Sequence, residues 1–134
     1  MKTKYPILFI AFLSSCLFAC KKDANKIAII GKWSIAKIEY HEAQDTTITG
    51  IATDYYNFGA DGSLSIQDHQ ESYTGKYSLN GTKSVGINIY TVDGHGLGVT
   101  TPPAVFTISN LTGHSVTLTG PPYPSGQEVV FLQK

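Results

Sequence analysis

The sequence predicts an all-β fold, an eight-stranded antiparallel up-and-down barrel behind a short N-terminal helical turn. Three observations carry this. Helical periodicity is nearly absent, and what recurs instead is short β-rich runs broken by Gly, Asn, Asp and Pro. Tight turns alternate with longer connections along the chain. Eight antiparallel strands can also close on themselves, which removes exposed edges. An open two-sheet sandwich is the alternative.

The elements follow in order. Asn25 to Ile30 makes one helical turn, capped by Asn25 and stopped by Gly31. The first strand runs from Trp33 to Glu42. Its apolar phase starts at Trp33 and Ile35 and then shifts to Ala36, Ile38 and Tyr40, which predicts a bulge or sharp bend. Next come Asp54 to Phe58, Ser63 to Asp68, Ser72 to Leu79 and Ser84 to Val92. Ala104 to Asn110, Ser115 to Thr119 and Glu128 to Gln133 complete the set. The inward phase takes Tyr56 and Phe58, Leu64 and Ile66, then Tyr73, Gly75, Tyr77 and Leu79. It continues with Val85, Ile87 and Ile89, Phe106 and Ile108, and Val116 and Leu118. In the last strand Val129 and Phe131 share one face, and Val130 and Leu132 the other.

Residues 59–62, 80–83 and 111–114 read as tight turns, and Asn80-Gly81 is a strong hairpin signal because both residues tolerate positive φ. The other connections, about 43–53, 69–71, 93–103 and 120–127, read as longer loops. In an up-and-down order alternate connections share an end. The tight turns and the N-terminal helical turn therefore predict one rim, and the long loops a mouth at the other.

The N-terminus has a different character. Lys2 and Lys4 precede an apolar run from Tyr5 to Ala19, broken only by Ser14 and Ser15. The run is too short for a spanning helix, which needs roughly 20 apolar residues. It fits a secretory signal peptide over residues 1–19. Leu17-Phe18-Ala19-Cys20 resembles the lipobox of bacterial lipoproteins. That resemblance implies cleavage before Cys20 and lipidation of its thiol, with residues 20–26 as linker and 27–134 as the folded domain. Leu13-Ser14-Ser15-Cys16 is a competing lipobox with a better-looking second position. Cys20 is preferred because the apolar run continues to Ala19 and Lys21-Lys22-Asp23 follow directly. An acylated cysteine with more than one chain is a stable tether. It would leave no thiol in the mature chain for a disulfide, a zinc site or a nucleophile, since the two cysteines are the only ones. The expected address is the cell envelope, lipid-anchored, the outer membrane more than the inner.

From Ile27 to Lys134 there are five lysines, no arginine and nine carboxylates, a net charge of −4. Nucleic-acid binding calls for a basic face rich in arginine, so that class is excluded.

Gly31-Lys32-Trp33, at the start of the first strand after a helical turn, resembles the lipocalins, in which the tryptophan plugs the closed end of the barrel. The stretches "GKWSIAKIEY", "YYNFGADGSLSI", "YTGKYSLNG", "FTISNLTGHSVTLTG" and "VVFLQK", with "CKKD" after the lipobox, resemble small lipocalin-like domains on lipoproteins of Bacteroidota-type bacteria. The likeness covers roughly residues 27–134. It implies a barrel plugged by Trp33. Lipocalins often stack an arginine on that tryptophan; this chain has none, and Lys134 is the available substitute. Thr53-Asp54-Tyr55 spells another lipocalin motif but stands before the second strand, out of place, and is read as coincidence.

Fold transfers better than function. The ligand-binding candidates are Tyr56, Phe58, Tyr73, Tyr77, Ile89, His95, Leu97 and Phe106, with tyrosine hydroxyls to orient a small apolar or amphipathic molecule. The competing reading is that these aromatics only fill a core. His41, His69 and His95 map to the long-loop end beside Glu42, Asp68, Glu71 and Asp93, yet no His-x-x-x-His spacing is present and no metal or cofactor is expected. The glycine-rich run 94–98 has no following helix to present to phosphate; it reads as a flap carrying Leu97 and Val99, with residues 121–124 as a stiffer counterpart. Such apolar loop tips suggest an alternative role, docking on another envelope protein. No Gly-x-Ser-x-Gly or paired-carboxylate cleft is evident, so no enzyme is expected.

Overall fold

The computed structural model describes residues 28–81, 83–98, 102–124 and 126–134. The residues expected to form a signal peptide and linker, with Cys16 and Cys20, lie outside the described residues, as does the first half of the predicted helical turn; Ala28 and Ile29 are helical. Among the described residues no helix is long and apolar enough to cross a membrane.

Ten strands form one antiparallel sheet. They are β1 (Gly31–His41), β2 (Thr46–Thr49), β3 (Tyr55–Phe58), β4 (Ser63–Asp68) and β5 (Glu71–Asn80), followed by β6 (Ser84–Val92), β7 (His95–Gly96), β8 (Ala104–Ser109), β9 (Ser115–Thr119) and β10 (Gln127–Gln133). Eight of them pair in the order β1-β3-β4-β5-β6-β8-β9-β10, and β10 pairs back onto β1 from Ser34↔Gln133 to His41↔Gln127. That last ladder closes the ring. It excludes the open sandwich.

The expected bulge falls in β1. Ile35 faces Leu132 and Lys37 faces Phe131, leaving Ala36 unpaired in this register. The extra residue lets Trp33, Ile35, Ile38 and Tyr40 all serve the interior although they break strict alternation. Trp33, Ile35 and Ile38 are buried, and Tyr40 packs against the core. A second irregularity separates Thr74↔Thr91 from Gly75↔Ile89, so Tyr90 is the extra residue of β6 and stands exposed.

Two strands, β2 and β7, are additions to the expected set. β2 pairs with Lys37–Tyr40 of β1, while β3 pairs with Gly31–Ser34 on the same side. β2 and β3 thus behave as one long strand interrupted at 50–54. β7 pairs with Thr91 and Val92 through the Asp93-Gly94 turn, where both residues have positive φ (48° and 77°). This is the two-residue hairpin geometry that Asp-Gly favours. The stretch read as a flap over 94–98 therefore begins as a hairpin extension, and Val99 lies outside the described residues. The connection expected as a loop at 69–71 is also tight: Asp68 pairs with Glu71 across His69-Gln70.

The interior is apolar and the outer face largely polar. Outward positions of β5 read Ser72, Thr74, Lys76, Ser78 and Asn80, alternating with the inward set. Phe131 points outward but is covered by Lys37, whose Nζ lies 4.3 Å from the ring centroid and 2.6 Å from Glu39.

At the tight-turn end the barrel is filled. Trp33 and Phe58 are fully buried, and Trp33 Nε1 donates to the Ile29 carbonyl at 2.7 Å. Phe58 meets Tyr77 edge-on with centroids 5.1 Å apart, and the Tyr77 hydroxyl donates to the Gly59 carbonyl at 2.8 Å. The floor is thus packed and its polar atoms are satisfied.

Candidate functional site

Filling stops toward the other end. A cavity of about 340 Å³ is lined by Tyr40, Tyr56, Ile66, Asp68, Tyr73, Ile87, Ile89, Ala104, Phe106 and Glu128. Most of these side chains sit where their strands approach the rim opposite the turns at 59–62, 80–83 and 111–114. Tyr40 is next to last in β1, Asp68 is last in β4, Ala104 is first in β8 and Glu128 is second in β10. The volume lies at the lower end of the roughly 300–1,000 Å³ typical of small-molecule pockets. It suits a compact ligand better than a long acyl chain.

Each polar group reaches the cavity by strand phase. Asp68 continues the inward series Leu64, Ile66 along β4. Glu128 continues the series Val130, Leu132 along β10. Tyr40 follows Ile38 at the end of bulged β1. Among the described residues the Glu128 carboxylate and the hydroxyls of Tyr40 and Tyr56 have no side-chain hydrogen bond or ion pair, whereas the Tyr73 hydroxyl donates to Glu71. No buried side-chain polar atom among the described residues is left sealed without a partner. The unspent groups therefore keep contact with the cavity.

The groups feel one another. Burial, and then the charge of Asp68, raises the Glu128 carboxyl above its ordinary range. Burial, followed by the charges of Glu128 and Asp68, pushes the Tyr56 hydroxyl far above the usual phenol range. Tyr40 is raised by burial and by Glu128, Asp68 and Glu42. Tyr73 is raised first by its hydrogen bond to Glu71, then by burial.

Of the expected ligand contacts, Tyr56, Tyr73, Ile89 and Phe106 come together on this cavity. Phe58 and Tyr77 do not line it; they belong to the packed floor. His95 and Leu97 do not line it either. Both are exposed on and beside β7, and the His95 ring turns back to the Asp93 carbonyl at 3.0 Å. The reason is β7 itself, which carries them outward on a hairpin rather than over the mouth. Sequence reasoning missed Asp68 and Glu128 as site residues, although both are in phase with buried apolar neighbours. Tyr40 was placed on the inward face but not assigned to the site.

The histidines do not converge. His41 lies 3.3 Å from Asp45, and His69 lies 2.8 Å from Asp68. Asp54, Asp68 and His69 do place ligand-type atoms within 4.8 Å of one another. However, both Asp54 oxygens are occupied by backbone amides, Ile51 N at 2.9 Å and His69 N at 2.8 Å. Asp54 is 1% exposed, and these bonds tie the 50–54 interruption to the β4–β5 turn. The triple reads as a structural clasp. A wider groove outside it, lined by Ile48, Ile51, Asp68, His69, Gln70 and Glu71, has no aromatic wall.

No known protein family, curated protein or solved structure matches the chain.

Proposed function

We propose that the chain is a non-enzymatic, lipid-anchored binding protein of the cell envelope, lipocalin-like in kind, that holds a small amphipathic molecule in the mouth of its barrel. The observation that carries this reading is the aromatic cavity with unspent polar groups on its wall. A barrel evolved only as a filled scaffold would gain by replacing Glu128 with an apolar side chain, because a half-buried carboxylate without a partner carries a desolvation cost. Retaining it makes sense if something else supplies its partner. Leu97 and Tyr123, exposed near the same end, support a second reading in which that rim docks on an envelope protein. The cavity favours the first.

Lipidation of Cys20 supplies the anchor in this reading, and the likeness of residues 17–20 to a lipobox is its support. Native mass spectrometry of protein purified from its own envelope tests the whole. A retained small molecule is the expected result. Material that carries only a protein partner, or no companion of any kind, would overturn it in favour of a docking or purely structural role.

A further inference from the structure

Resting on the binding reading above, we infer that the cavity selects a cation: a compact molecule with a protonated amine on an apolar body. Among the described residues the wall holds two carboxylates, Asp68 and Glu128, and no lysine, arginine or histidine. Asp68 has His69 as a neighbour at 2.8 Å, on the exposed side. Glu128 has no ion-pair partner among the described residues, although burial makes its charge expensive. An anionic ligand would meet like charge in a half-buried site, and a neutral one would leave Glu128 uncompensated. An ammonium group corrects both.

The remaining chemistry agrees. Tyr40, Tyr56, Tyr73 and Phe106 line the space, and aromatic rings attract cations. An ammonium offers three donors and no acceptor. The unspent acceptors here are the Glu128 carboxylate and the Tyr40 and Tyr56 hydroxyl oxygens. Charge-assisted bonds to such acceptors are roughly twice as strong as neutral ones. Ile66, Ile87, Ile89 and Ala104 supply the apolar side for the rest of the molecule.

The test uses three probes of one shape: phenethylamine, phenethyl alcohol and hydrocinnamate. Each is titrated into the full chain near neutral pH by calorimetry, with backbone NMR shifts to locate binding. The amine is expected to bind about tenfold or more tightly than the alcohol, and hydrocinnamate weakest. E128Q should abolish the amine's advantage over the alcohol, and Y56F should narrow it. Buried Trp33 emission verifies that both variants fold. Equal binding of all three probes, or preference for the anion, would overturn the cation inference and leave the pocket reading intact. Absence of any binding at the cavity would overturn both.

Discussion

Lys134 Nζ sits 4.2 Å from the centroid of the Trp33 ring and donates to the Ile30 carbonyl at 3.3 Å. A cation therefore does cover the plug, in the place where the lipocalin resemblance implies arginine. An exposed cation–π contact is worth about 0.5–1 kcal/mol. K134A should lower stability by about that amount. K134R should restore it or exceed it, since the planar guanidinium stacks. Urea titration followed through Trp33, the single tryptophan, measures both.

Asp54 is the second structural test. Its two oxygens accept from Ile51 N and His69 N, and the carboxylate itself is buried. D54A strands two amide donors and should cost about 3 kcal/mol. D54N keeps one acceptor and should cost roughly half. Chemical denaturation gives the magnitudes. A neutral result for D54A would mean the clasp contributes nothing.

Gly75 lies at the β5–β6 irregularity, where an added Cβ would run into the Asn88 carbonyl and the Ile89 backbone. Backbone cannot move aside as a flexible side chain can. G75A should destabilise by about 2 kcal/mol or more, read as a lower thermal midpoint.

Glu128 predicts a pH effect of definite sign. Its folded-state carboxyl is raised above 4.5, so the folded protein keeps this proton to higher pH than the unfolded chain does. The stability this gives is complete below the unfolded value and is lost as pH rises through the folded one. E128Q should therefore be more stable than the parent at neutral pH, with the difference closing below about pH 4.5. Asp68, Tyr40, Tyr56 and Tyr73 face the same space, and repeating the comparison in D68N removes the one charged neighbour. A pH-independent difference would contradict the assignment.

The proposed lipid anchor makes its own prediction. C20S should release the protein from the membrane fraction, and C16S should leave it there. The reverse pattern would move the processing site to Cys16.

Much of the architecture was legible because period-two alternation reports which face of a strand is buried. All eight barrel strands were placed, several to the residue, and the broken phase at Ala36 marked a real bulge. β2 and β7 were not placed, for different reasons. Thr46–Thr49 has one apolar residue and packs beside the end of β1 without serving the core. Asp93-Gly94 carried a hairpin signal, but the glycines after it suggested a loop. The site was half legible. Aromatic lining followed from phase, whereas Glu128 was not considered and Asp68 was named only beside the loop histidines, since carboxylates ordinarily face water. Phe58 and Tyr77 share the inward phase of Tyr56 and Tyr73, and alternation says nothing about depth along the barrel.

The Lys134–Ile30 contact places the first and last described stretches of the barrel side by side, on the rim opposite the cavity. A short peptide bridging Lys134 to Ala28 would let the polypeptide be reopened elsewhere, for instance at Gly81, with every ladder preserved. Such a rearranged chain would carry its new ends on that same rim, so fusion tags or surface attachment there would leave the cavity unobstructed.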